Sequence, residues 1–181
     1  GESAVTMLAN EFARSKTRHP NLLKVSSWIS QLGLGKKLQV SPVAKTDLVD
    51  VSVMMNDGAE LPLPDLGYGV SQVLPVLVQC AFAPKGSTLL FEQPELHLHD
   101  GAAKNLASVF VDVIREKGVH IVAETHSRNL FLEVMREVKA GRLKPEEVVL
   151  YDVSRVDGRS VFREVKILRD DDGHCEADHP W

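Results

Sequence analysis

Helix-like and strand-like segments alternate through the second half of the chain, and this order constrains the fold more than any other feature. The predicted order is a helix from about residue 69, a strand at 88–92, a helix at 102–117, a strand at 119–124, a helix at 128–139 and a strand at 148–153. Strands connected through helices pair in parallel, and the helices then cover the faces of the sheet. The sequence therefore predicts an α/β fold.

The first third of the chain has a different pattern, in which two helices precede a small antiparallel ribbon. Apolar residues recur at helical spacing between residues 5 and 32, and the glycines that follow end the second helix. Residues 38–43 and 48–55 favour strands because they are rich in apolar and β-branched types. The Asn-Asp-Gly turn at 56–58 is expected to pair the second strand with residues 59–63.

The end of the chain is predicted to be a hairpin followed by a polar tail. Asp157 and Gly158 supply the turn that pairs the strand at 148–153 with residues 160–167, and the tail is expected to be loop-like. We therefore divide the chain into three regions, which are the helices and ribbon (1–64), the alternating region (65–168) and the tail (169–181).

Composition narrows the classes of protein that the chain can belong to. With 181 residues, of which 44% are hydrophobic, the chain can bury one core. Its net charge of -4 argues against a protein that wraps nucleic acid with its whole surface. Its two cysteines lie far apart, as expected for thiols in the reducing cytoplasm. No apolar run reaches the roughly 18 residues of a membrane span.

The segment at 88–99 carries the densest chemistry. An apolar strand ends in Glu92, which is followed by Gln93 and Glu95. A strand of this kind places its terminal carboxylates at the carboxyl edge of a parallel sheet, where open α/β folds bind ligands such as Mg²⁺ and phosphate groups. The alternative is a buried strand that ends in a solvated acidic loop.

Two further segments are candidates for the same site. Gly67, Gly69, Ser71 and Gln72 lead into an apolar helix at 73–82, where backbone amides, the helix dipole and a hydroxyl favour an anion. The alternative is an ordinary glycine-rich turn that Ser71 caps. Downstream, the strand at 119–124 is followed by His126, and a lone histidine there is more often structural than catalytic.

The three segments occur in the order that one family of ATPases requires. Gly-x-Gly-Val-Ser-Gln, Glu-Gln-Pro-Glu-x-His-Leu-His and Glu-Thr-His-Ser resemble the signature, Walker B with D-loop, and switch motifs of ABC/SMC-type ATPase heads. The residue sequences of these motifs are most similar to those of the OLD-like and SMC-like AAA-type ATPases of bacteria. The close resemblance covers residues 65–130. It implies the C-terminal half of a P-loop NTPase fold that works with ATP and Mg²⁺.

The resemblance assigns four residues to chemistry within one head. Glu92 would hold the Mg²⁺ shell through water, and His126 would sense the γ-phosphate. Gln93 lies where many of these ATPases carry a catalytic glutamate, and a neutral amide orients water without accepting its proton. Glu95 is therefore the candidate substitute base, and slow hydrolysis or a nucleotide-gated switch would follow.

The resemblance also implies partners. A homodimer of heads would place one signature segment against the nucleotide of the facing subunit, and the residues involved would be Gly67, Gly69, Ser71 and Gln72. His97 and His99 would lie in the D-loop at the dimer interface. DNA repair heads and anti-phage defence proteins belong to such families, so DNA or an effector nuclease is a further partner to consider. We expect a cytoplasmic protein with no membrane partner.

One motif of the family is missing from the printed sequence. No G-x-x-x-x-G-K-[ST] segment occurs, and the lysines that follow Gly35 lack both the upstream glycine and the hydroxyl. In the related families this loop lies in an N-terminal lobe, so we expect that lobe in the same or a separate chain.

Two other classes of function remain open from the sequence. The first is a noncatalytic interaction module with a degenerate ATPase fold, which the missing loop favours. The second is a metallohydrolase, because imidazoles and carboxylates at short spacing suit zinc. Its ligands would come from His97, His99, Asp100, Glu124 and His126.

Overall fold

A computed structural model describes residues 3–14, 19–44, 46, 49–169 and 175–177 of the chain. The helices are α1 (Ala4–Arg14), α2 (Pro20–Gln31), α3 (Tyr68–Phe82), α4 (Asp100–Lys117) and α5 (Arg128–Lys139). The strands are β1 (Lys37–Pro42), β2 (Val49–Met54), β3 (Glu60–Pro62), β4 (Thr88–Glu92), β5 (His120–Glu124), β6 (Leu150–Val156), β7 (Arg159–Val165), β8 (Ile167–Arg169) and β9 (Cys175–Ala177). Within this part of the chain, none of the helices is both long and apolar enough to cross a bilayer.

The antiparallel ribbon forms as predicted and packs against α2. Strands β1, β2 and β3 are neighbours in that order, with Val53 opposite both Leu38 and Leu61. The Ser26 hydroxyl of α2 accepts the Leu38 backbone N–H at 3.0 Å, which fixes the ribbon on the helix. The second strand was predicted to begin at residue 48, which lies outside the described residues.

Helix α3 is the centre of the hydrophobic core. It contacts α1, α2, α4 and β4. Its side chains at Val73, Leu74, Leu77 and Val78 are at most 1% exposed. Because α3 is apolar on most of its circumference, it has to be covered on several sides, which the neighbouring helices and the sheet do. The helix begins at Tyr68, one residue before the predicted helical segment from about 69 and five residues before its predicted apolar part at 73–82.

The parallel sheet consists of β4 and β5 in the described residues, and its register brings Glu92 opposite Glu124. The predicted third strand, β6, does not join it and pairs antiparallel with β7. The turn explains this pairing, because Asp157 and Gly158 both have positive φ, at 48° and 79°. Two such residues form the tight turn that the twist of a hairpin favours.

The tail also differs from the prediction of a loop. Strand β9, at Cys175–Ala177, pairs antiparallel with β8, so part of the tail is an edge strand. The strand has only three residues and polar neighbours in the sequence, so it lacks the alternation of apolar residues by which strands are predicted. The rest of the tail, at 170–174 and 178–181, lies outside the described residues.

A buried carboxylate ties α5 to α4. Glu137 is 5% exposed and accepts hydrogen bonds from the Ser108 hydroxyl at 2.9 Å and from the Arg142 guanidinium at 2.5 Å. The Arg142 hydrogen bonds hold the pKa of Glu137 below its ordinary value of 4.5. A carboxyl with a lowered folded-state pKa stabilises the fold above its unfolded pKa, and this contribution is lost as the pH falls through the folded-state value.

We expect Glu137→Ala to lower the free energy of unfolding by about 2–4 kcal/mol at pH 7, because it leaves the Arg142 guanidinium without its main partner. The loss should shrink as the pH falls from 4.5, the ordinary pKa that Glu137 has in the unfolded chain, toward its lowered folded-state pKa. Urea unfolding at pH 7 and pH 3.5 measures both effects. Arg136→Ala, which breaks an exposed pair with Glu133, is the control and should cost less than about 1 kcal/mol. Equal losses in the two variants at pH 7 would contradict the assignment.

Candidate active site

Acidic side chains meet at the carboxyl edge of the parallel sheet. Glu92 ends β4 and Glu124 ends β5, and because the strands are in register both side chains lie on the same face as neighbours. Both are exposed to solvent. Two adjacent carboxylates repel each other, and a bound cation relieves that repulsion. Oxygen ligands of this type suit Mg²⁺.

His126 lies next to this acidic edge. Its Nε2 atom is 3.9 Å from a carboxylate oxygen of Glu124, and 79% of its side chain is exposed. An ion pair at this distance forms only when the imidazole carries a proton. The exposed ring is therefore free to contact a group that approaches the edge from solvent.

The loop after β4 has an unusual backbone. Gln93 and His97 have φ of 44° and 65°, which is the left-handed region that residues other than glycine rarely adopt. The Gln93 N–H donates to the Glu124 carbonyl at 2.8 Å, so the loop stays in contact with the end of β5. Such conformations cost on the order of 1 kcal/mol each and are frequent at functional sites. The backbone strain therefore lies in the predicted catalytic loop.

Glu95 is the most buried acidic residue of this loop, with 9% of its surface exposed. Its Oε1 atom accepts a hydrogen bond from the Thr125 hydroxyl at 2.5 Å. Its Oε2 atom is buried and has no hydrogen-bond partner among the described residues. Beside it is a cavity of about 260 Å³, whose lining includes Glu95, Gln93 and His126. A buried acceptor without a donor is uncommon, and it indicates that a further group belongs at this position.

The beginning of α3 is open to solvent. Gly67 is the N-cap and has no side chain that could satisfy the first amides of the helix. Ser71 lies in the first turn, and its hydroxyl is 3.5 Å from the Gly67 carbonyl, while Gln72 is exposed. The alternative that Ser71 caps this turn is therefore wrong, because the helix begins three residues before Ser71.

Gly69 brings the beginning of α3 against the loop after β4. A Cβ atom at Gly69 would lie 2.9 Å from the His97 carbonyl oxygen, closer than real Cβ atoms approach a backbone atom. The Tyr68 and His97 rings are also neighbours, with 5.8 Å between their centroids. Only glycine permits this contact, so the structure joins the predicted signature and D-loop segments within one chain.

The second D-loop histidine has a capping role. His99 Nδ1 accepts the Ala102 backbone N–H at 3.2 Å and thereby caps α4. Over the described residues, no three His, Cys, Asp or Glu side chains come close enough together to hold a metal ion. The zinc cluster drawn from His97, His99, Asp100, Glu124 and His126 is therefore not formed, because these side chains spread over two loops and a helix cap.

Three residues of the site were not assigned a role in ATP chemistry by the sequence. Thr125 joins Glu95 to the switch segment, Ser127 caps α5 through its hydroxyl, and Glu124 stands beside Glu92. Glu124 was considered only as a zinc ligand. The register of two parallel strands could have revealed it, since strands that end together place their last residues side by side.

The fold is similar to that of SMC ATPase heads. One similar solved structure, from a study of ATP-driven dimerization and DNA-stimulated activation of SMC ATPases, has a TM-score of 0.62 at 15% identity over 86% of this chain and 88% of that chain. An Smc head bound to the C-winged helix domain of ScpA has a TM-score of 0.61 at 14% identity, over 83% of this chain and 44% of that chain. The Pyrococcus furiosus Smc head, with an extended coiled coil and the C-terminal domain of ScpA, has a TM-score of 0.61 at 15% identity. The match covers 87% of this chain and 37% of that chain. The chain thus spans less than half of two of these relatives.

The sequence match is more specific than the structural one. The family described as "AAA domain, putative AbiEii toxin, Type IV TA system" matches residues 18–133, which is more than half of the chain, and the chain belongs to this family. No curated protein matches the sequence.

Proposed function

We propose that the chain is the C-terminal lobe of an ATPase head and completes a composite ATP site across a dimer of heads. The observation that carries the proposal is the buried, unpartnered Oε2 atom of Glu95, which lies beside a cavity that His126 also lines. Glu92 and Glu124 end the two neighbouring strands that lead into these loops. Such an edge offers a cation site, a proton acceptor and an exposed imidazole within two short loops. These are the groups that phosphoryl transfer to water requires.

The acidic edge fits a magnesium ion. Glu92 and Glu124 offer carboxylate oxygens in register and exposed to solvent, and Mg²⁺ keeps several of its waters when it binds to one or two carboxylates. Glu92 would hold this hydrated ion through water. When bound, Mg²⁺ neutralises part of the negative charge of the phosphates.

Glu95, Gln93 and His126 divide the remaining tasks. The free Oε2 atom of Glu95 accepts the proton of the attacking water, while the Gln93 amide orients that water without taking its proton. The exposed imidazole of His126 donates to the γ-phosphate. Because the amide replaces a second carboxylate, we expect slow turnover.

The signature segment acts on the facing subunit. Gly67 leaves the first amides of α3 without a side-chain cap, Ser71 lies in the first turn, and Gln72 follows it. Amides, dipole and hydroxyl favour a phosphate held by the partner head. ATP binding would draw the heads together, and hydrolysis would release them.

A P-loop lobe, in the same or a separate chain, is the partner that this reading requires. One face of the parallel sheet supports the presence of such a partner, because Leu90 and Val122 are 71% and 57% exposed on that face. Parallel sheets are normally covered on both faces. A lobe that brings the phosphate-binding loop would cover this apolar face and complete the site.

We further propose that such heads act in the cytoplasm in DNA repair or anti-phage defence, with DNA or an effector nuclease as partner. The family description, which names a toxin of a type IV toxin–antitoxin system, supports a defence role. The DNA-stimulated SMC ATPases of similar fold support the link to DNA. The resemblance to OLD-like ATPases supports both.

Turnover by the separate and joined lobes tests the function. The chain alone should hydrolyse ATP no faster than background, because it contains no loop to hold the β-phosphate. Joined to a P-loop lobe of its own protein, it should show Mg²⁺-dependent turnover and ATP-dependent dimerisation, measured by phosphate release and light scattering. The P-loop lobe alone is the control. ATP binding and dimerisation without turnover would support the noncatalytic alternative, and robust turnover by the chain alone would exclude the composite site.

A further inference from the structure

The loop after β4 and the switch segment after β5 are joined by one side chain. The Thr125 hydroxyl donates to Glu95 Oε1 at 2.5 Å. The same Thr125 Oγ1 atom accepts the backbone N–H of Ser127 at 2.9 Å. A single hydroxyl thus acts as donor to one loop and acceptor for the other, which uses its hydrogen-bonding capacity in both directions.

The second of these hydrogen bonds encloses His126. Thr125 and Ser127 are the residues on either side of it, so the contact between them closes a short turn whose central residue is His126. The Ser127 hydroxyl in turn accepts the Leu130 N–H at 3.2 Å and caps α5. The backbone at His126 is therefore held between Glu95 on one side and the first turn of α5 on the other.

The first hydrogen bond determines which oxygen of Glu95 remains available. With Oε1 engaged by Thr125, the carboxylate rotation is fixed, and Oε2 is the atom left without a donor. Without the hydroxyl, the carboxylate plane could turn to other angles, and neither oxygen would be held in a fixed position. Efficient proton transfer requires the acceptor within about 3 Å of the water, so loss of this orientation lowers the rate.

We propose that Thr125 is a positioning residue that couples Glu95 to the switch histidine His126. It keeps Glu95 Oε2 turned toward the water and transmits a displacement of His126 to Glu95 through two hydrogen bonds. A γ-phosphate contact at His126 thereby sets the acceptor for hydrolysis. The effect on rate depends on the proposed ATPase function, whereas the link between the two loops does not.

Kinetics on the joined lobes test the effect on rate. Thr125→Val removes the hydroxyl and keeps the branched shape, so kcat should fall about tenfold while KM for ATP changes less than about twofold. Thr125→Ser restores the hydroxyl and should recover kcat to within about threefold of the parent. A purely structural role would lower the thermal midpoint and affect both variants without this recovery. An unchanged kcat in Thr125→Val overturns the proposal.

Amide resonances of the chain alone test the link without any turnover. Glu95→Ala should shift the ¹H–¹⁵N resonances of His126 and Ser127. When Glu95→Ala is added to a chain that already carries Thr125→Val, these resonances should not shift further. Glu146→Ala, at an exposed carboxylate of the Pro145–Glu147 turn, is the control and should leave both resonances in place. If Glu95→Ala leaves them in place too, the coupling is absent whatever the ATPase activity. If the link is present but the joined lobes show no turnover, the proposed ATPase function fails and the coupling stands.

Discussion

Ser71→Arg, in a head that carries both lobes, should block ATP-dependent dimerisation and reduce turnover about 100-fold while leaving ATP binding to each monomer nearly intact. Side chains in the first turn of a helix tilt toward its N-terminus, so an arginine at Ser71 would extend over the open amides of α3. It would occupy the space that the γ-phosphate of the facing subunit must enter. Nucleotide titration and sedimentation with and without ATP measure the two properties.

A mixing experiment shows whether this effect acts in trans. Heads with Ser71→Arg, combined with heads that lack the P-loop lysine, should recover one working site per heterodimer. Gln79→Arg, two turns further along α3 and exposed, is the matched control for a new charge on this helix. Heterodimers without recovered turnover, or a Ser71→Arg head that no longer binds ATP as a monomer, would contradict the signature assignment.

Glu92→Gln should reduce Mg²⁺-dependent turnover by about 1,000-fold in the joined lobes, because a neutral amide cannot replace a carboxylate beside a hydrated Mg²⁺. ATP binding without Mg²⁺ should change little. Phosphate release across a range of Mg²⁺ concentrations is the measurement, and Glu146→Gln, at an exposed site away from the sheet edge, is the control.

The same series ranks the other residues of the loop. Glu95→Gln should lower turnover more than Gln93→Ala, since only Glu95 accepts a proton in the proposed mechanism. If Glu92→Gln retains the parental rate, the carboxylate edge does not hold the catalytic metal. If Gln93→Glu leaves the rate unchanged or lowers it, Gln93 is not simply a weakened catalytic base.

Local patterns were sufficient for most of the secondary structure. β4 and α5 match their predicted bounds, because each has a clear apolar period and polar or capping residues at its ends. The apolar part of α3 was predicted to begin only at 73, since Gly69 in the first turn and the N-cap Gly67 suggest a loop. Strand β9 was not predicted, because three residues are too few to show the alternation that is typical of a strand.

Tertiary pairing was harder to derive than the elements themselves. The Asp157-Gly158 turn correctly predicted the hairpin of β6 and β7, whereas alternation alone wrongly placed β6 in the parallel sheet as well. The site residues Glu92, Glu95 and His126 follow from motifs and stay predictions of function. The hydrogen bond between Thr125 and Glu95 could not be predicted from the sequence, because it joins residues that are 30 positions apart.

The open face of the parallel sheet has a consequence for how the lobe holds its shape. Leu90 and Val122 remain 71% and 57% exposed in the folded chain, so part of the hydrophobic free energy that this sheet can contribute would be realised only when the proposed P-loop lobe covers the face. Folding and assembly are then linked equilibria. The stability of the lobe would then rise with the concentration of the proposed partner that covers the face.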